Sequence, residues 1–222
     1  MRTTAPKALL VPYHYPTMRS STLIPSLLLG AAGLAIAALL PSAPSAIAVA
    51  PAEVPVFALD PVHSSVNFRV MHMQTGYATG RFNDFSGEFA YDPKQLDKSK
   101  ISFTIQAGSV DTNNGKRDDH LRGSDFFSVE QFPTIVFEST RIQQRGKELQ
   151  IAGKVKWMGV EKDLAVTAQH VGESQSRDGK AKHGFTCTFV LKRSDFGISY
   201  GLDSNSLGDD VNVTLDLEVE AR

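Results

Sequence analysis

Val211-Asn212-Val213-Thr214-Leu215-Asp216-Leu217-Glu218-Val219-Glu220 alternates apolar and polar residues without a break. Successive side chains of a strand point to opposite faces, so this run sets Val211, Val213, Leu215, Leu217 and Val219 against a wholly polar reverse side. Upstream segments repeat the pattern. Val66, Phe68, Val70 and His72 share one face, with Asn67, Arg69, Met71 and Met73 on the other. Ile101, Phe103, Ile105 and Ala107 alternate with Ser102, Thr104 and Gln106, and Leu149, Ile151, Gly153, Val155 and Trp157 with Gln150, Ala152, Lys154 and Lys156.

Further strands are expected over residues 81–91, 134–142, 164–171 and 183–192, and 56–60 leads into the run that starts at Val66, which makes about eight strands in all. Asp92-Pro93, Arg145-Gly146 and the polar stretch from Gly172 to Lys182 supply the turns between them. One stretch, about 114–129, reads as a short helical insertion ending before Phe132-Pro133. Strands with one apolar and one polar face form antiparallel sheet, wet on one side. Eight of them can close into a barrel whose interior just holds a small ligand, and closure removes exposed edges; a two-sheet sandwich satisfies the same pattern, and the barrel is preferred partly for the resemblance given below.

The front of the chain has a different composition. Of 23 Lys+Arg and 24 Asp+Glu in 222 residues, only Arg2, Lys7 and Arg19 precede Glu53, which leaves 20 basic groups against 24 acidic ones after residue 48. A basic start, the apolar run Leu23 to Leu40 and the small-residue site Ala46-Ile47-Ala48 make a secretory signal, read as residues 1–48, with Met18 as an alternative start. Cleavage after Ala48 is preferred over Ala50, which would leave Pro51 first. Leu23 to Leu40 is also nearly long enough for a membrane anchor, an alternative that Pro25, Ser26 and the cleavage site oppose. A disordered leader, 49–55, then precedes a single barrel domain, 56–222. The mildly acidic mature chain has no basic stripe for nucleic acid.

Cys187 is the only cysteine, which excludes an internal disulfide. In Phe185-Thr186-Cys187-Thr188-Phe189 it shares a face with two phenylalanines, as a buried structural thiol does. Met71-His72-Met73 has the ligand types of a copper site, but on a strand His72 faces away from both methionines, and His63, His120, His170 and His183 show no ligand spacing. No metal is expected. Asp118-Asp119-His120 are neighbours that do not face one another on a helix. With Arg117, Arg122 and Asp125 they are expected to cap and pin the helix to the barrel, as Arg193 and Asp195 are expected to pair at a barrel end.

From Phe57 to Arg222 the sequence resembles the YceI-like family. The resemblance is carried by Asp60-Pro61-Val62-His63-Ser64-Ser65-Val66-Asn67-Phe68, Gly80-Arg81-Phe82, Phe85-Ser86-Gly87, Arg117-Asp118-Asp119-His120-Leu121 with Ser124-Asp125-Phe126-Phe127, Gly159-Val160, Arg193-Ser194-Asp195-Phe196-Gly197 and Asp209-Asp210-Val211. It implies an all-β, eight-stranded antiparallel lipocalin-like barrel in the periplasm, with an isoprenoid lipid or polyprenyl quinone as the ligand held inside and no other cofactor. It also leaves room for a homodimer and for transient contact with a membrane or membrane protein.

Phe68, Val70, Phe103, Phe137, Trp157, Phe185, Phe189 and Leu215 are the candidate ligand-lining residues, each with plain core packing as its alternative. His72 either meets a head group or is satisfied within the core, and Arg117 and His120 are candidate rim contacts. Three functions stay open. The barrel is a carrier for such a lipid, a hydrolase or isomerase working on a small apolar substrate through His72 or His120, or a stress-linked structural protein without ligand. No Ser or Cys nucleophile motif is present, so no catalytic residue is assigned.

Overall fold

The computed structural model describes residues 53–222. The expected signal segment, the Met18 start and the first residues of the 49–55 leader lie outside the described residues. The strands are β1 (Val56–Leu59), β2 (Ser65–His72), β3 (Gly76–Phe82), β4 (Phe85–Ala90), β5 (Lys100–Gln106), β6 (Val110–Asp111), β7 (Thr134–Arg145), β8 (Glu148–Trp157), β9 (Val160–Gln175), β10 (Ala181–Lys192) and β11 (Leu207–Ala221). Among the described residues one α-helix, α1 (Gly115–Arg122), sits between β6 and β7.

Neighbours along the sheet run β1-β4-β5-β7-β8-β9-β10-β11, and β11 pairs back onto β1. The result is a closed barrel of eight antiparallel strands. β2, β3 and β6 prolong the walls begun by β1, β4 and β5, with β2 on β11 and β3, and β3 on β6. The expected strand over 81–91 is therefore two strands, broken at Asn83-Asp84. Its neighbours break at the same level, at Asp60 to Ser64 and at the 3-10 turn Ala107–Ser109. Backbone bonds from Asn83 to Ser109 O (3.1 Å) and from Gln106 to Asp84 O (2.9 Å) stitch two of the breaks together. The sheet turns a corner there, and these bonds hold its two sides together.

The helix is shorter than the expected 114–129. Asn114 caps it by accepting from Arg117 N at 3.1 Å, and it stops where Gly123 turns extended. Ser128 has φ 42, a conformation no helix interior contains, and Phe126 and Phe127 both turn into the core. The charged residues of α1 do pin it. Arg122 donates to Gly108 O and Val110 O at 2.9 and 3.0 Å, and buried Asp118 accepts from Thr112 N at 2.8 Å.

The expected Arg193–Asp195 ion pair is not formed. Arg193 is 2% exposed and donates to the carbonyls of Gly208 (2.7 Å), Ile198 (3.2 Å) and Leu207 (2.9 Å). Sequence neighbours on a tight 3-10 turn point apart, and the carbonyls of Ile198 in the β10–β11 connection and of Leu207 and Gly208 at the start of β11 take the guanidinium as their donor. Inside the wall, Leu217, Leu215 and Val213 stand opposite Phe185, Cys187 and Phe189. Gly153 leaves space for the Phe137 ring, since a Cβ there would overlap both that ring and the Glu138 carbonyl. Gly153→Ala should therefore cost about 2 kcal/mol, the usual scale of overpacking, read as a lower urea midpoint at unchanged slope.

The barrel end remote from α1 is sealed by rings. His170 Nε2 and His183 Nδ1 are 3.2 Å apart, and His183 meets Phe57 and Tyr91 edge-on at 4.9 and 5.6 Å between centroids. Burial, and then the neighbouring His170, push the His183 imidazole below its ordinary 6.5, while Glu173 pulls weakly the other way. The folded state thus prefers neutral His183 and the unfolded chain binds the proton more readily. This contribution is present above pH 6.5 and is lost as the pH falls through the depressed folded value. Exposed His63, raised by Asp60, acts in the opposite sense, so the informative quantity is a difference between proteins. His183→Phe should flatten the loss of stability on mild acidification in urea titrations; profiles parallel to the wild type would count against the pair.

Candidate functional site

A cavity of about 620 Å³ runs through the barrel, within the range of pockets that bury a drug-sized molecule. Phe68 and Val70 of β2 line it, with Phe103 of β5 and Phe137 of β7. Trp157 closes the end of β8, and Phe185, Phe189 and Leu215 complete the wall from β10 and β11. Alternation brings these side chains together because each strand spends its inward positions on apolar groups. Trp157, Val70, Phe103 and Phe185 are buried, and the others are partly exposed to the cavity space.

The cavity has unlike ends. Phe89, Tyr91, Leu149, Ala168 and Phe185 line it beneath the histidine pair. At the α1 end the lining adds His72, Thr112, Arg117, His120, Tyr200 and Ser206. His72 lies where β2 turns into β3, exposed to solvent, and neither Met71 nor Met73 lines the cavity with it. Arg117 is committed to Thr112, donating to its Oγ1 at 2.7 Å and its carbonyl at 2.8 Å. His120 Nε2 is 2.8 Å from Asp125 Oδ2, and its ring meets Phe126 and Tyr200 edge-on at 5.1 and 5.0 Å. The two rim candidates are therefore held in place by protein partners and still face the cavity.

Cys187 also lines the cavity, and burial pushes its thiol up to about 11, so it stays protonated at neutral pH. Tyr200, Thr112 and Ile198 line the site without having been singled out in the sequence. Tyr200 and Ile198 sit in the irregular connection between β10 and β11, where no periodicity marks a direction. Tyr91 could have been found, because Phe89-Ala90-Tyr91 continues the alternation of β4.

Outside the barrel the fold assembles a group that sequence spacing does not show. Ligand atoms of Asp60, His63 and Glu218 lie within 4.8 Å of one another. Lys182 Nζ already supplies the positive charge there, 2.6 Å from Glu218 and 3.5 Å from Asp60. The hydrogen bond from His63 holds the Asp60 carboxyl below its usual range.

Residues 57–219 match the YceI-like domain. A UPF0312 protein of Shewanella baltica is 40% identical over 159 residues, 71% of this chain and 81% of that protein. The crystal structure of the Campylobacter jejuni YCEI protein superposes with a TM-score of 0.62 at 31% identity, covering 68% of this chain and 90% of that one. A polyisoprenoid binding domain from Saccharophagus degradans, described as implicated in plant cell wall breakdown, superposes with a TM-score of 0.58 at 16% identity, covering 75% of this chain and 98% of its own. By the match over residues 57–219 and the 40% identity to the Shewanella baltica protein, the chain belongs to the YceI-like family.

Proposed function

We propose that the protein is an exported periplasmic carrier that holds an isoprenoid lipid or polyprenyl quinone inside its barrel. The observation that carries this reading is the barrel cavity with largely apolar walls, along which His72, Arg117, His120 and Tyr200 gather at the α1 end. Such a space suits a molecule with a long hydrocarbon tail and a small polar head. Each five-carbon unit taken from water gains roughly 4 kcal/mol gross at about 0.8 kcal/mol per carbon. The neighbouring polyisoprenoid binding domain supports the ligand class.

In this arrangement the tail lies against Phe103, Phe137, Phe185, Phe189 and Leu215, and the head meets His72, Arg117 and His120 beside Tyr200. Binding without chemistry fits side chains already engaged by Thr112 and Asp125 and a thiol that stays protonated. Export rests on the signal read in residues 1–48. Met73 and Tyr77, exposed at the β2–β3 turn, would touch a bilayer or membrane protein during transfer.

Native mass spectrometry of protein purified from its own host tests the reading. The expected spectrum shows a retained polyprenyl compound on a chain beginning at Val49. Delipidated protein that takes up neither a polyprenol nor a prenylquinone would overturn the ligand class, and an intact residue 1–48 segment would overturn the cleavage. Ala78 lines the cavity opposite Val70, half-buried on β3. Ala78→Trp should weaken uptake about tenfold, or 1.4 kcal/mol, in a displacement titration, with an unchanged melting midpoint.

A further inference from the structure

His170 and His183 are 13 positions apart in sequence, yet His170 Nε2 lies 3.2 Å from His183 Nδ1 across the β9–β10 pair. A break in register brings this about. His170 stands opposite Phe185 and Glu173 opposite His183, with the register shifting between Gly184 and Phe185. Residues directly opposite in antiparallel strands share a face, as do residues two apart on one strand. His170, His183 and Glu173 therefore belong to one face. Without the bulge His170 and Glu173, three apart on β9, would face opposite ways; re-aiming a side chain is what a bulge does. Glu173 is close enough for its charge to act on both His183 and Tyr91.

Neither histidine lines the barrel cavity, both are half-buried, and Glu173 is exposed, so the group is reached from solvent at the barrel end. Two nitrogens bound tetrahedrally to one zinc ion, each at about 2.0–2.1 Å, lie about 3.3 Å apart. The pair already has that separation. Imidazole with a carboxylate suits zinc and its late-transition neighbours, whereas calcium and magnesium take oxygen ligands.

We propose that His170 Nε2, His183 Nδ1 and the Glu173 carboxylate bind one divalent ion of the zinc class, with water as the fourth ligand. The three ligand atoms are not yet gathered within 4.8 Å, as those of Asp60, His63 and Glu218 are, and rotation of the exposed Glu173 side chain completes the set. The ring that donates in the present bond passes its proton through solvent to its other nitrogen. Both rings then turn a lone pair to the ion, and no proton is lost. The Asp60 group is the poorer site, because Lys182 Nζ sits 2.6 Å from Glu218. An ion at the histidine pair clamps β9 to β10 across the bulge, whatever the cavity holds.

The test titrates zinc into the full chain, untagged, stripped with a chelator and held in a buffer that does not bind zinc. Calorimetry should show one ion per chain. Glu173→Gln and His170→Gln should each weaken binding at least about tenfold, since even the outer-shell partners of a metal ligand cost that much. His63→Ala should leave it unchanged. A second measurement needs no variant: in protein carrying isotope-labelled histidine, the ring resonances of His170 and His183 should move with zinc while those of His63 and His120 stay. No heat of binding at millimolar zinc, binding untouched by Glu173→Gln, or binding lost in His63→Ala would each overturn the proposal. So would ring shifts confined to the other histidines.

Discussion

A β-sheet with free edges leaves a row of amides and carbonyls unpaired, and the chain resolves this by bonding its first strand to its last. β1 lies between β4 and β11, with Phe57, Ala58 and Leu59 opposite Ala221, Glu220 and Val219. Everything else in the architecture presupposes that seam. Once it is made, each strand has two neighbours around the ring, the inward faces meet, and Val219 and Phe57 become part of the core. The ion pairs around Lys182, which joins β10 to Glu218 and Glu220 of β11 and to Asp60 after β1, lie across the same region.

Closure also creates the interior problem that the protein answers with a cavity. Eight strands make a ring wide enough to need filling, and aromatic groups such as Phe103, Phe137 and Phe185 fill it only in part. The two ends receive different treatment. Beneath β1 and β10 the rings of Tyr91, His170 and His183 pack into an aromatic floor. At the other end α1 and the β10–β11 connection bring polar side chains to the cavity. The gathering of charged side chains at the α1 end is thus a product of where the connections fall.

Much of this was legible in the residues. Strict alternation in β2, β5, β8 and β11 set which side chains face inward, so Phe68, Phe103, Trp157 and Leu215 meet in one cavity as period-2 spacing requires. The charged cluster of α1 pinned the helix as its composition implied. What alternation could not reveal was the level at which the sheet turns a corner, because Asn83-Asp84 interrupts the hydrogen bonding and not the pattern. The helix was overestimated because polar residues after Gly123 look compatible with it, whereas the positive φ of Ser128 and the burial of two adjacent phenylalanines belong to tertiary packing. Arg193 illustrates the same limit: its partners are backbone carbonyls, which leave no trace in residue identity. Tyr200 and the Asp60–His63–Glu218 group come from irregular or sequence-distant positions and needed the fold to be seen.

The attachment of α1 has a further consequence for traffic through the barrel. Arg122 and Arg117 grip backbone carbonyls of the adjoining wall, and Asp118 grips a backbone amide. Swinging the helix aside as a unit would break all of these bonds at once. Passage at that end is then left to side-chain rotations of groups such as half-exposed Tyr200, which occur in picoseconds to nanoseconds. On the carrier reading proposed above, a long apolar guest would then enter and leave without waiting for the helix to move.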